Sequence, residues 1–405
     1  LDRVLLHPVA GPLILLTLLF LMFQAVFSWA ETPMDWIDGG IASLQQWLSA
    51  HMQDSLLKSL MVDGIIAGVG GVVIFLPQIL ILFLFILLLE DSGYMTRAAF
   101  LMDRLMSAVG LNGRAFIPLL SSFACAIPGI MAARTIAHPL DRLVTILIAP
   151  LMTCSARLPV YVLLIAAFVP ATTVWGGIGL QGLVMFGLYA KGIAGALVVA
   201  GVLRLTLLRG ESQPLLMELP HYKWPNPANV LLGLWERAKI FMRRIGTVIL
   251  SVLVLLWFLS TFPAPPDGAT EPAIYYSFAG QIGHALEPLL APIGFNWQIA
   301  VALVPGLAAR EVAVAALGTV YALSGDEGAV TEALTATLAQ NWTLATALAL
   351  LAWYVFAPQC LATLAAVRRE TNSWRWAAFM FAYLMTLAYI AAFVTYRVAL
   401  ALGGG

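Results

Sequence analysis

Residues 115–137 read AFIPLLSSFACAIPGIMAARTIA, and residues 297–323 read WQIAVALVPGLAAREVAVAALGTVYAL. Both are apolar and of bilayer length, yet the first holds Pro118, Pro128 and Gly129 and the second Pro305, Gly306, Arg310 and Glu311. Proline inside a helix removes a backbone hydrogen bond and collides with the preceding turn. At membrane depth such backbone is tolerated only where it lines a cavity or packs inside protein. The two stretches therefore predict broken or re-entrant helices, with backbone breaks at Pro128, Gly129, Pro305 and Gly306.

The surrounding chain agrees. Of 405 residues, 61% are hydrophobic and 10% are charged, whereas a soluble domain carries roughly 25% charged residues. The mean hydropathy is +0.92. These values exclude a soluble globular protein and predict an all-α polytopic membrane protein, because only helices satisfy their backbone locally in lipid. Apolar runs place spans near 9–28, 64–89, 143–169, 176–208, 245–262, 343–366 and 376–400, giving about seven full spans plus the two re-entrant segments. Twenty-one basic residues balance 21 acidic ones, so no net field favours nucleic acid.

Basic residues cluster in the loops 90–114 (Arg97, Arg104, Arg114) and 209–244 (Arg209, Lys223, Arg237, Lys239, Arg243, Arg244), and Arg368, Arg369 and Arg375 mark a third. The positive-inside rule puts these loops in the cytoplasm and the lysine- and arginine-poor loops 29–63, 263–296 and 324–342 outside. Every loop alternates correctly if both broken stretches return to the side they left. Residues 41–60 show helical spacing with a mixed face and are predicted to lie on the external surface.

PGIMAAR (Pro128–Arg134) is echoed by PGLAAR (Pro305–Arg310), and APLMTC (Ala149–Cys154) by APQC (Ala357–Cys360). The orientation argument inverts the two units, and inverted repeats with discontinuous helices are a transporter signature. The domain reading follows: 1–63, first span and external amphipathic segment; 64–208, first gate repeat; 209–244, cytoplasmic basic loop; 245–296, linking span and external loop; 297–405, second gate repeat and C-terminal spans.

Cys125, Cys154 and Cys360 all lie near prolines in apolar segments, so they read as thiols rather than a disulfide framework. Sulfur donors favour softer transition metals, with Met131 and Met152 nearby, which points to iron, copper or zinc. Arg134, Arg157, Arg310 and Glu311 are ionisable groups at depth, and Glu90 with Asp91 would form an acidic exit for a cation. The five histidines form no HxxxH or HExxH pair, and neither a GxSxG elbow nor a phosphate loop is present. No catalytic set is visible, so the chain itself is not read as an enzyme.

LEDSGYMTRAAFLMDRLM (Leu89–Met106), GLNGRAFIPLLSSFACAIPGIMAARTI (Gly110–Ile136), DRLVTILIAPLMTCSARLPVY (Asp141–Tyr161) and PGLAAREVAV (Pro305–Val314) resemble the membrane region of the ferrous iron transport protein B (FeoB) family. The family pattern usually has Gly where Ala124 stands here. The resemblance implies Fe(II) uptake across a bacterial cytoplasmic (inner) membrane, two gate domains, and a pore lined by Cys125, Cys154 and Cys360; the residues read above add Glu90, Asp91, Glu311 and Met152 to the expected ion pathway. It implies Cys125, Cys154 and Cys360 as the metal-contacting residues. It further implies a G domain elsewhere in a longer parent chain, supplying GTP and Mg, since the sequence opens on Leu1 and holds no GxxxxGK[ST]. Expected partners are membrane lipid, ferrous iron, that G domain, the small accessory proteins FeoA and FeoC, and a homo-oligomer. The alternatives are another cargo on the same fold, a nucleoside or a different divalent metal, or a membrane-embedded cysteine enzyme or sensor.

Overall fold

The computed structural model describes residues 2–7, 9–175, 178–208, 221–244, 250–266, 273–308, 310, 312–321, 327–358 and 360–403. These are almost wholly helical; a short antiparallel ribbon pairs Thr173–Trp175 with Ile178–Gly179. Among the described residues five helices, counting broken ones, are long and apolar enough to cross a membrane: Ala10–His51, Pro139–Phe168, Leu180–Thr206, Leu344–Thr371 and Trp374–Ala401. Two bent pairs raise the number to seven, Leu76–Asp91 with Tyr94–Ala108 at 84° and Phe278–Ile293 with Trp297–Leu307 at 104°. A polytopic membrane protein is the architecture that results.

The helices used below are α1 (Ala10–His51), α2 (Leu76–Asp91), α3 (Tyr94–Ala108), α4 (Phe116–Ala124), α5 (Ala126–Ala132), α6 (Pro139–Ile148), α7 (Leu158–Phe168), α8 (Leu180–Thr206), α9 (Pro227–Arg244), α10 (Leu250–Thr261), α11 (Phe278–Leu290), α12 (Trp297–Ala308), α13 (Val312–Val320), α14 (Glu327–Asn341), α15 (Leu344–Phe356), α16 (Leu361–Thr371) and α17 (Trp374–Ala401). Several boundaries depart from the sequence expectation. The first span does not end near residue 28: α1 continues through Pro33 for 42 residues, about 63 Å at the helical rise and twice the thickness of a bilayer core. The expected spans 143–169 and 343–366 are each two helices, α6 with α7 and α15 with α16. Only residues 250–261 of the expected span 245–262 form α10, residues 245–249 lying outside the described set.

The chain separates into two compact units, one of Leu1–Ala149 with Ala196–Ser251 and one of Pro150–Gly195 with Val252–Gly405. In the first, Met22 and Val26 of α1 pack on Leu82, Phe83 and Ile86 of α2, with Met95 and Leu120 completing the cluster. The basic α9 lies along α2, with Leu234 against the same cluster and the Arg237 guanidinium 4.6 Å from the Phe83 ring centre. A polar latch fastens the loop before α9: Arg97 and Tyr222 both donate to Asp2, at 2.7 and 2.6 Å, and Arg97 stacks on the Tyr222 ring. Those donors hold the Asp2 carboxyl below its ordinary value, while burial and the Asp2 charge push the Tyr222 hydroxyl up to about 12. Deeper in this unit, fully buried Asp141 of α6 is paired with Arg204 of α8.

In the second unit, α15 packs along α17 and α11 folds back on α12. The turn between α11 and α12 requires Gly294, whose φ of +81° is left-handed and whose missing side chain leaves room for the Tyr396 ring. Glu287 caps the far side of this turn, accepting from the Trp297 N–H at 3.3 Å.

Candidate functional site

Each cysteine occupies the same kind of backbone position. Cys125 is an extended residue (φ −157°, ψ 134°) between α4 and α5; Cys154 (φ −80°, ψ 162°) precedes the short turn Ser155–Arg157 that leads into α7; Cys360 (φ −164°, ψ 161°) precedes α16. All three are therefore the residue just before a helix begins again after an interruption. The first backbone N–H groups of a helix lack intrahelical partners and carry partial positive charge. Cys360 Sγ also lies 3.2 Å from Thr363 Oγ1. None of the three is in a disulfide.

The breaks are thus not at the prolines and glycines expected. Pro128 is the third residue of α5, where the missing N–H has no intrahelical partner to lose, and α12 runs through Pro305 and Gly306 to Ala308. Gly129 instead serves close packing: a side chain there would meet Ser122 Oγ and the Pro118 carbonyl, which are themselves hydrogen-bonded at 2.8 Å.

In the second unit two buried arginines hold the interruption between α15 and α16. Arg157 Nη1 donates to the Val355 carbonyl at 2.8 Å, and its Nη2 donates to the carbonyls of Pro150 at 3.0 Å and Ala357 at 3.4 Å. Arg310 donates to the carbonyls of Tyr354 at 3.2 Å, Ala357 at 2.6 Å and Pro358. The cause is local chemistry. The last carbonyls of a helix have no intrahelical donor, and Pro358 supplies no N–H to the Tyr354 carbonyl four residues before it. Two guanidiniums satisfy four of the five carbonyls from Tyr354 to Pro358 and also complement the negative end of the α15 dipole. Arg157 links the two cysteine segments of this unit directly, standing three residues after Cys154 and bonding the backbone three residues before Cys360.

The remaining expected residues fall out unevenly. Met152 is buried beside Cys154, Glu90 is exposed at the end of α2, and Arg134 is exposed. Asp91 accepts from the Asn226 N–H at 2.7 Å and pairs with Lys223 at 3.0 Å, so it fastens the loop before α9. Glu311 lies outside the described residues. Among the described residues no three His, Cys, Asp or Glu groups gather as a metal site. The carbonyl-binding role of Arg157 and Arg310 was not visible in the sequence, which marked both only as charges at depth.

Two family models match the chain. One described as "Gate: Nucleoside recognition" covers residues 72–168 and 242–374, and one described as "Ferrous iron transport protein B C terminus" covers residues 185–237. Among similar proteins, the Fe(2+) transporter FeoB of Leptospira interrogans is 42% identical over 98% of this chain and 59% of its own length. That of Campylobacter jejuni is 38% identical over 98% of the chain and 65% of its own length. An Fe(2+) transport protein A/Fe(2+) transporter FeoB fusion protein of Porphyromonas gingivalis is 39% identical over 98% of the chain and 51% of its length. The chain thus spans roughly half to two thirds of these curated relatives. No solved structure matches it. The Gate matches take in more than half of the chain, all three cysteines and both carbonyl-holding arginines, and the chain belongs to the Gate family.

Proposed function

We propose that this chain is the permeation part of a ferrous iron uptake permease in a bacterial inner membrane. The observation that carries the reading is the shared position of Cys125, Cys154 and Cys360, each opening a helix after an interruption. Sulfur is a soft donor, matched to Fe(II) in preference to Mg or Ca. Relatives named as Fe(2+) transporters, similar over nearly the whole chain, support the cargo. Each cysteine would offer the ion a sulfur donor, with Met152, Glu90, Asp91 and Glu311 as further pathway residues.

Arg157 and Arg310 would then be the restraint on that path. Carbonyls at the broken ends of helices are the usual cation ligands of discontinuous-helix transporters. Here they are held by two cations, so passage requires the guanidiniums to shift from Val355, Ala357 and Pro358. Two gate repeats in inverted orientation agree with the paired echoes, since both APLMTC and APQC fall at helix interruptions. A G domain in a longer parent chain, acting with GTP and Mg, would supply the trigger, and this chain would carry no catalysis of its own. The fusion relative supports FeoA as a partner.

Anaerobic radio-iron uptake into proteoliposomes tests the reading, comparing this chain with a longer form carrying its G domain, with and without GTP. Uptake abolished by replacing all three cysteines with serine is the expected result. Uptake unchanged in that triple variant would remove the cysteine pathway, and no Fe(II) uptake by either folded form would remove the cargo.

A further inference from the structure

The second unit contains an apolar cavity of about 430 Å³ between α11, α12, α15 and α17, and nothing in the transport path described above uses it. We propose that it holds one acyl chain of a bilayer lipid, seated directly against the arginine-held backbone.

Three observations specify that occupant. The first is depth. The rim is formed by exposed Leu289 and Ile390, and Ile390 with Met385, Thr386 and Tyr389 sits at the middle of α17, a 28-residue candidate span. At 1.5 Å per residue Ile390 lies about 4 Å from the midpoint of that helix, level with the hydrocarbon centre. The second is chemistry. The polar side chains in the wall are turned to internal partners: Thr386 Oγ1 donates to the Ala382 carbonyl, Tyr389 Oη to the Leu289 carbonyl, and Arg310 to the 354–358 segment. An apolar cavity of this kind does not retain water and takes apolar guests, so a tail rather than a headgroup fits it. The third is size, since the volume falls within the range of specific small-molecule sites.

The inner wall gives the site its consequence. Arg310, Tyr354, Ala357 and Pro358 line it, so the chain that fills it touches the same backbone that the two arginines hold. An occupied cavity supports that segment in its held position; an emptied one leaves a void beside it. The inference rests on the membrane-spanning reading of α17 and is independent of which ion is carried.

Trp353, nearly fully buried in the cavity wall, supplies the probe. The full chain and its Trp353→Phe variant are placed in nanodiscs of phosphatidylcholine brominated at mid-chain and, separately, of the unbrominated lipid. The difference in emission between the two proteins isolates Trp353. Its loss in brominated lipid is expected, and its recovery is expected when Thr386→Phe, at the rim, fills the mouth. Leu289→Phe, on the opposite rim, serves if the first filling variant does not fold. An unquenched Trp353 in brominated lipid overturns the proposal. Quenching that persists undiminished in folded filling variants overturns it too, because the bromine would then be reaching Trp353 from outside the cavity.

Discussion

Replacing Arg157 with methionine keeps the apolar stem and removes every donor. Of its three carbonyl bonds, those to Val355 at 2.8 Å and Pro150 at 3.0 Å are lost outright, while Ala357, at 3.4 Å from Arg157, retains Arg310 at 2.6 Å. A hydrogen bond to a charged group contributes about 1.5–3 kcal/mol, hence about 3–6 kcal/mol for two. Removing a fully buried guanidinium relieves its own desolvation and offsets part of that. A net loss of about 2–4 kcal/mol in local stability is therefore expected, concentrated at the end of α15. The Ala357 N–H, which donates to the Trp353 carbonyl at 2.8 Å, reports on that last turn. Hydrogen exchange of the chain in nanodiscs should show this amide exchanging roughly 30- to 700-fold faster, at about 1.4 kcal/mol per factor of ten. Arg157→Lys keeps the charge without the planar fork and should fall between the two. Unchanged exchange at Ala357 in a folded Arg157→Met chain would refute the assignment of Arg157 as the brace of this segment.

Asp141→Leu removes the carboxylate partner of Arg204, and Arg204→Leu leaves Asp141 with the His138 imidazole at 3.6 Å; each should cost about 3–5 kcal/mol, whereas the double replacement should recover most of it, and unfolding measurements that find the two losses additive contradict the pairing. Gly195→Ala places a methyl 2.5 Å from the Phe356 ring, so a loss of about 1–3 kcal/mol is expected, and Phe356→Leu in that background should relieve it, as thermal unfolding can check. The Asp2–Tyr222 latch has a defined pH window. Asp2, held low, contributes above the ordinary carboxyl value and loses that contribution as pH falls through its lowered one. Tyr222, raised to about 12, contributes below the ordinary tyrosine value and loses it as pH rises through 12. Carbon-13 titration of the Tyr222 ring should place its midpoint well above that of an exposed tyrosine, and an ordinary midpoint would show the latch open.

Hydropathy made the helical, membrane-spanning class legible because lipid permits so few backbone solutions. Proline and glycine marked residues 115–137 as interrupted, as they are at Cys125, but not the residue at which the helix breaks. Pro128 and Pro305 drew attention as helix breakers, yet one sits in a first turn and the other inside α12, since the effect of a proline depends on its distance from a helix start. The true breaks at 149–157 and 357–360 fell within runs apolar enough to look continuous. Their cue was the APLMTC and APQC echo, which carries the cysteines themselves. At the site, the residue types were readable but their partners were not. Apart from Pro150, the carbonyls that Arg157 and Arg310 bind lie 44 to 200 residues away in sequence, and backbone acceptors leave no signature in side-chain spelling. Asp91 shows the reverse: a carboxylate suggestive of an ion exit is taken up by a lysine and a backbone N–H.

Pro358 and Arg310 form a matched pair, although one merely lacks a hydrogen and the other supplies it. A residue other than proline at 358 would free Ala357, now at ψ 151°, to continue the helix and bring an N–H to the Tyr354 carbonyl in competition with the guanidinium. Loss of Arg310 while Pro358 stays strands that carbonyl in an apolar interior. Neither position is free to drift alone, so across related chains the two are expected to be inherited together, and a chain that has lost one should have lost the other.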